Sequence, residues 1–600
     1  MRTLICFLLL CLSAACAIAQ PELEPWGNMT GIRIDGQLMD FESSLRIIYP
    51  GGGILATAKE RQTPHYARNG KAQIVSTHLD SLYIVETVED AGRGMARVTI
   101  AWTAHSAMRI HAAIFSLEIP EDRQLEVHPD QPTEIKRTTI GDNHTRIGIP
   151  LQSGDLQDGQ SGTCTFTIKV TGDIDREPIH LTLNTSNPGR PFDGFGGNFR
   201  IYNIKSDSPS IAYCLNNLRV AWGRVELPWR LWQPTQNSNP LDSARAGRLN
   251  PAVRHALDMA HTLGARRIPF ILSAWTPPQW AVIGPLSSPA RHDHIYGNPL
   301  DQDSVEAIYK SIADYIVLLK EQYQVEPRYF SFNESDLGID VRQTGEEHDE
   351  LIKGLGQYFA SHGLKTKVLL GDNSDATTWA FIDPAMNDSA ARPYIGMISF
   401  HSWRGFDTTT LQHWADAATR LHVPVVVGEG SIDAQAYAYP AIFKEPTYAM
   451  EEISLYTRLL AICQPISILQ WQLTSNYSLL EGGGIKGDTG ALRPTQRFWN
   501  MKQLAMTPPG LFAMPIATNR PNIAVAALGD NAKQQYAIHV VNNGAARQVS
   551  LTGLPEKLKT MHRYTTTQST GIKEGPPVTV KNGQAQFTLE AQSYVTLIGD

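Results

Sequence analysis

Residues 328–335 read Arg-Tyr-Phe-Ser-Phe-Asn-Glu-Ser, and residues 423–430 read Val-Pro-Val-Val-Val-Gly-Glu-Gly. In each, a short aromatic or β-branched run gives way to a glutamate, Glu334 or Glu429. A run of that length with little polar alternation is what a strand buried on both faces requires. In a parallel barrel the side chains at the C-terminal ends of the strands project into the mouth, where ligands are met. The two stretches therefore predict two strands of one barrel, each carrying a carboxylate to the same opening.

Working outward, further apolar runs flank these two. The strand candidates are Phe195 to Ile201, Leu218 to Val225, Arg267 to Ala274, Arg328 to Asn333, Lys367 to Gly371, Gly396 to His401, Val423 to Gly428 and Ile466 to Trp471. Segments of helical period lie between them: Pro251 to Leu263, Ser304 to Gln322, His348 to His362, Thr409 to Leu421 and Met450 to Cys463. Strands alternating with helices over this length predict a (β/α)8 TIM barrel, assigned to residues 186–507. A doubly wound sheet is the competing arrangement, but Phe195-Gly196-Gly197-Asn198 does not meet the glycine template of its nucleotide-binding turn.

On either side the pattern changes. Residues 20–185 carry only short alternating runs, such as Arg97-Val98-Thr99-Ile100-Ala101-Trp102, separated by turn clusters such as Pro50-Gly51-Gly52-Gly53. That spacing predicts an N-terminal β-sandwich. Residues 508–600 return to strands and predict a smaller C-terminal β-sandwich, to which Ile179 to Leu183 could add a strand.

A formal net charge of −7 with scattered basic residues offers no patch for nucleic acid. Arg2, the apolar stretch Leu4 to Cys16 and the small-x-small triplet Ala17-Ile18-Ala19 read as a signal peptide over 1–19, which predicts an exported protein, periplasmic or secreted. Cys16 after Ser13-Ala14-Ala15 gives a lipid-anchored surface protein as the variant of that reading. No later run is long enough to span a bilayer as an integral segment. Outside the signal segment, Cys164, Cys214 and Cys463 are odd in number and widely spaced, which reads as isolated thiols and not as a disulfide or metal framework. His292, Asp293 and His294 place no third ligand by spacing and read as a solvated loop.

Two carboxylates at one barrel mouth are the equipment of retaining glycoside hydrolysis: one protonates the leaving oxygen while the other attacks the anomeric carbon. Glu334 suits the acid, with Asn333 beside it to hydrogen-bond a sugar hydroxyl. Glu429 suits the nucleophile, with Gly428 and Gly430 leaving room for substrate. A nucleophile must stay ionised, and Arg224 at the end of the second strand and His401 at the end of the sixth are the candidate donors. Trp275 after the third strand, Trp403 after the sixth and Trp471 at the eighth are candidate platforms for sugar rings, and Trp280 follows the third. Such chemistry requires no cofactor and no metal; the partner is a carbohydrate.

These residues resemble a known group. Asn-Glu after a fourth strand and Glu after a seventh are similar to the clan A retaining glycoside hydrolases. Phe192-Asp193-Gly194-Phe195-Gly196-Gly197-Asn198, Ile271 to Trp280 and Ser399-Phe400-His401-Ser402-Trp403 look most like glycoside hydrolase family 30. The resemblance runs from about Pro191 to the C-terminus and implies a barrel joined to a C-terminal β-sandwich. It also implies Glu334 as acid/base, Glu429 as nucleophile, and Asn333, Arg224, His401 and Trp471 around the sugar that is attacked. Ser335 stands where the family usually carries Pro, and the N-terminal sandwich is an addition to the family's plan. The expectation is an exported β-glycosidase acting with retention on a poly- or oligosaccharide. The alternative is a non-catalytic carbohydrate-binding protein on a degenerate barrel.

Overall fold

The computed structural model describes residues 20–120, 123–141, 143–286 and 297–599. Residues 1–19, which read as a signal peptide, and His292-Asp293-His294 lie outside the described residues. Among those described, no helix is long and apolar enough to cross a membrane.

The chain divides into two compact units, residues 1–176 and 177–600. The first contains antiparallel β-structure. A five-stranded sheet runs in the order Lys136–Ile140, His144–Ser153, Ala112–Pro120, Glu42–Ile48, Ile54–Ala56. A six-stranded sheet runs Gln124–Pro129, Ser161–Thr171, Met95–Ala104, Leu82–Gly92, Ala72–Leu79, His65–Asn69. Alternation sets their faces: along Leu82–Gly92, Leu82, Ile84, Glu86 and Val88 are buried while the residues between them are not. Phe115 of one sheet meets Phe166 of the other, ring centroids 5.2 Å apart. This is the expected sandwich.

The second unit contains a closed eight-stranded parallel barrel. Its strands are β1 (Gly194–Asn198), β2 (Gly223–Leu227), β3 (Phe270–Ala274), β4 (Tyr329–Phe332), β5 (Lys367–Asn373), β6 (Ile395–His401), β7 (Val425–Gly430) and β8 (Ser467–Gln470). β8 pairs back onto β1, which closes the ring. Each expected strand has a counterpart. The second is displaced toward its C-terminus, so Arg224 is the second residue of β2 and not its end.

The expected helices are present with shifted ends: Pro251–Ala265, Val305–Gln322, Gly345–Ser361, Thr408–Leu421 and Pro446–Ile462. Two longer helices were not legible. Ile204–Asn217 carries Pro209 inside it, a residue that removes a backbone donor and reads as a breaker. Gln496–Ala505 has low overall hydrophobicity yet buries Arg497, Asn500 and Gln503 through hydrogen bonds.

The barrel interior is layered. Trp222, Ile271, Leu369, Met397, Val426 and Leu469 form a separate apolar cluster inside it. Trimming one, as in Leu369→Ala, costs about 2–5 kcal/mol. Above that layer the inward positions turn polar, and there the candidate site begins.

The C-terminal strands form a two-layered sheet in which Lys573–Lys581 pairs with Thr560–Thr567 at one end and Gln584–Leu589 at the other. Ile179–Leu183 belongs here: it pairs with Arg547–Thr552 and Ile516–Thr518. The expected boundary at 185 therefore moves back to 176, because the strand's partners lie in the C-terminal sheet.

Candidate active site

Glu429 lies within β7, and Glu334 sits two residues beyond β4. One oxygen from each, together with a ring nitrogen of His401, lies within 4.8 Å of the others. His401 closes β6 and is fully buried. Its Nδ1 is 3.0 Å from Glu334 Oε1 and 3.4 Å from Glu429 Oε2.

Arg224 is buried and acts as the hub. Its Nη1 donates to Glu429 Oε1 at 2.8 Å and Asn198 Oδ1 at 3.0 Å. Nη2 donates to Asn333 Oδ1 at 2.7 Å, Asp372 Oδ2 at 2.8 Å and Ser273 Oγ at 3.1 Å. A planar fork of donors is the group able to span so many acceptors at once. Asn333 is thereby oriented, and its Nδ2 reaches Glu334 Oε2 at 3.3 Å. The sequence Asn333-Glu334-Ser335 matches a glycosylation sequon, but the Asn333 amide is buried and engaged with Arg224.

Asp372 is the residue the sequence reading missed. It lies near the end of β5, wholly buried, at a register shift in the pairing with β6. Oδ2 accepts from Arg224 and from Ser331 Oγ at 2.7 Å. Oδ1 accepts from Ser399 Oγ at 2.9 Å and faces His401 Nε2 at 3.2 Å. Burial opposes its ionisation, but the Arg224 charge, His401 and Ser331 overcome that and hold the carboxyl well below the usual carboxylate range. One signal was available: Ser273, Ser331 and Ser399 each interrupt an apolar strand at an inward position, which marks a polar layer needing a partner.

The glycines of β7 serve a different purpose from the one expected. A Cβ on Gly428 would stand 2.5 Å from Ser399 Oγ and 2.7 Å from Asp372 Oδ1. One on Gly430 would stand 2.6 Å from the Tyr456 hydroxyl. Both glycines make room for the protein's own side chains.

Ionisation follows from these contacts. Burial opposes charge on His401, but Glu429, Asp372 and Glu334 outweigh it and push the imidazolium up to about 10. Burial lifts Glu429 to about 7; His401 and Arg224 pull it down, while Glu334 and Asp372 add to the lift. Glu334, His401 and Glu429 have the spacing of a cation site. Two positive side chains, Arg224 and the His401 imidazolium, already bear on Glu429, so the donor set fits proton chemistry better than a divalent ion.

The tryptophans separate. Trp275 packs against the Arg224 guanidinium at 4.4 Å and the Arg200 guanidinium at 4.6 Å. Its ring also lies 6.1 Å from that of Trp471. Both therefore stand beside the site. Trp403 packs on Tyr477 at 5.8 Å. Trp280 donates to the Gln233 carbonyl and meets Trp229 edge-on, which ties it into the packing around that ring. Cys214 and Cys463 are buried free thiols, and Cys164 is half-buried and free.

No protein-family model and no curated protein sequence matches the chain. Solved structures do. A family 30 endoxylanase from Clostridium papyrosolvens is similar over 71% of this chain and 100% of that one, with 17% identity and a TM-score of 0.55. A family 30 subfamily 8 xylanase from Clostridium acetobutylicum covers 70% and 99%, with 16% identity and a TM-score of 0.56. The catalytic domain of a family 30 xylanase from Talaromyces cellulolyticus covers 70% and 100%, with 16% identity and a TM-score of 0.53. The likeness is one of fold: the chain has the barrel and β-domain arrangement of glycoside hydrolase family 30.

Proposed function

We propose that the protein is a retaining β-glycosidase. The observation that carries the reading is the meeting of Glu334 and Glu429, from β4 and β7, with one oxygen of each within 4.8 Å of the other. Retaining enzymes bring their carboxyl groups to about 5–5.5 Å, whereas inverting enzymes leave about 6.5–9.5 Å for a water.

In the first step a Glu429 oxygen bonds to the anomeric carbon as the glycosidic C–O bond breaks. Glu334 gives its proton to the leaving oxygen. In the second, Glu334 takes a proton from water, the water oxygen bonds to the anomeric carbon, and Glu429 leaves. Arg224 favours Glu429 as the nucleophile by its contact at 2.8 Å. Asn333, held by Arg224, is poised for the hydroxyl next to the reacting carbon, and Trp471 and Trp275 supply aromatic surface beside it. The substrate proposed is a neutral poly- or oligosaccharide. Export rests on the character of residues 1–19.

The test is the anomeric form of the first product, followed by proton NMR in the opening minutes of a polysaccharide digest. Retention of the β-configuration supports the reading. An α-product overturns the mechanism, and binding without any product favours a carbohydrate-binding role.

A further inference from the structure

His401 presents both ring nitrogens to carboxylates: Nδ1 to Glu334 at 3.0 Å and Glu429 at 3.4 Å, Nε2 to Asp372 at 3.2 Å. A neutral ring would set a lone pair against an ionised carboxylate, Asp372 on one side or Glu429 on the other; only the doubly protonated ring donates on both sides. The groups facing His401 are therefore Glu334 after β4, Asp372 on β5 and Glu429 on β7, with Arg224 on β2 bonded to the last two.

We propose that Asp372 is a positioning residue: by accepting from His401 Nε2 it stabilises the doubly protonated ring, and the N–H left at Nδ1 serves whichever of Glu429 and Glu334 carries the negative charge. The inference rests on the glycosidase reading. On that reading the reacting form carries the charge on Glu429 and the transferable proton on Glu334. When Glu429 bonds to the sugar it loses its charge as Glu334 gives up its proton, so the charge has crossed from one carboxylate to the other. Water then returns a proton to Glu334 and frees Glu429. Nδ1 lies within reach of both throughout.

The charge balance agrees with this. Arg224 and the His401 imidazolium supply two positive charges, and Asp372 and one member of the carboxylate pair supply two negative. The buried cluster is neutral both before and after the sugar is transferred, so neither resting state leaves an uncompensated charge in a low-dielectric interior. A neutral His401 would leave a net negative charge in both. Ser331 and Ser399 complete the device by fixing the Asp372 carboxylate from two strands.

The test compares wild type with Asp372→Asn. Ring ¹⁵N signals of selectively labelled histidine, assigned by loss in His401→Gln, should show both His401 nitrogens protonated at pH 8 in wild type and the ring pKa lowered by at least one unit in the variant. Kinetics on phenyl and 2,4-dinitrophenyl β-glycosides of an accepted sugar separate the two steps, since the better leaving group makes breakdown of the intermediate limiting. Asp372→Asn should slow both steps by comparable factors, about ten- to a hundredfold, as befits loss of a charge-assisted hydrogen bond. A His401 that is neutral at pH 7 in wild type overturns the inference even if the variant fails to fold. An active wild type whose variant is slowed in one step alone also overturns it while leaving the glycosidase reading intact. A wild type that turns over no glycoside removes the glycosidase reading itself, and the inference with it.

Discussion

The backbone N–H of Glu334 donates to the carbonyl of Asp372 at 3.1 Å, and both residues adopt left-handed backbone, φ +48° and +69°. Residues other than glycine take that conformation at a cost and keep it where surrounding contacts enforce it. Here the clasp joins the ends of β4 and β5 and aims Glu334 at His401. Gly338 N–H adds a second tie to the Glu334 carbonyl at 2.8 Å. The orientation of Glu334 is thus set with Ser335, and not a proline, following it.

Gly428→Ala tests the crowding behind Glu429. The added methyl would fall within 3 Å of Ser399 Oγ and Asp372 Oδ1, neither of which is the end of a long flexible chain. We expect kcat/KM to drop at least tenfold and stability by about 1–3 kcal/mol, as overpacking does. Thermal unfolding alongside steady-state kinetics on the same preparation measures both.

Arg224→Lys keeps the charge and loses the fork. A lysine ammonium cannot reach acceptors on five residues, so Asn333 and Asp372 would lose their shared partner. A fall of about a hundredfold or more in kcat/KM is expected, with little recovery at any pH. Activity within threefold of wild type would remove Arg224 from the account.

Glu429 predicts the acidic limb of the pH profile. With its carboxyl lifted to about 7, the nucleophile becomes protonated below that pH, and kcat/KM should fall tenfold for each further unit. Glu334 contributes to the lift, so Glu334→Gln should move the limb to lower pH. That variant lacks the acid, so the shift is read with 2,4-dinitrophenyl glycosides, whose leaving group needs no protonation. A limb that stays in place would separate the two carboxylates electrostatically.

Glu86 makes a prediction for the first unit alone. Its carboxyl is fully buried with no hydrogen-bond partner for either oxygen among the described residues, and burial pushes its pKa well up. The folded unit therefore holds a proton that the unfolded chain releases above about pH 4.5. By linkage, stability from this group is full below that pH and declines as pH rises toward the folded pKa. Glu86→Met should remove that decline and stabilise the unit by about 1–4 kcal/mol at neutral pH. Denaturant unfolding at pH 4 and pH 7 checks both parts.

Much of the fold was legible because the eight barrel strands are short apolar runs whose ends announce themselves. The helix at Ile204–Asn217 was hidden by Pro209, and the one at Gln496–Ala505 by polar residues that pair inside the protein. In the candidate site, Glu334, Glu429, Asn333, Arg224 and His401 could be read together because each stands on a barrel strand or just past its end. Asp372 was missed because its role is relational: it matters through serines on three other strands, Arg224 and His401, and no local pattern links those positions. The glycines of β7 were misread for the same reason, since what fills their space comes from β5, β6 and a helix.

The most direct measurement is intact mass after incubation with 2-deoxy-2-fluoro glycosyl fluorides of several sugars, followed by peptide mapping. The fluorine slows both steps and lets the covalent intermediate accumulate. The account predicts a single adduct on Glu429, absent from Glu429→Ala, and the sugar that forms it names the glycone. An adduct on Glu334, or turnover of a natural glycan with an inverted product and no adduct from its own glycone, would contradict it.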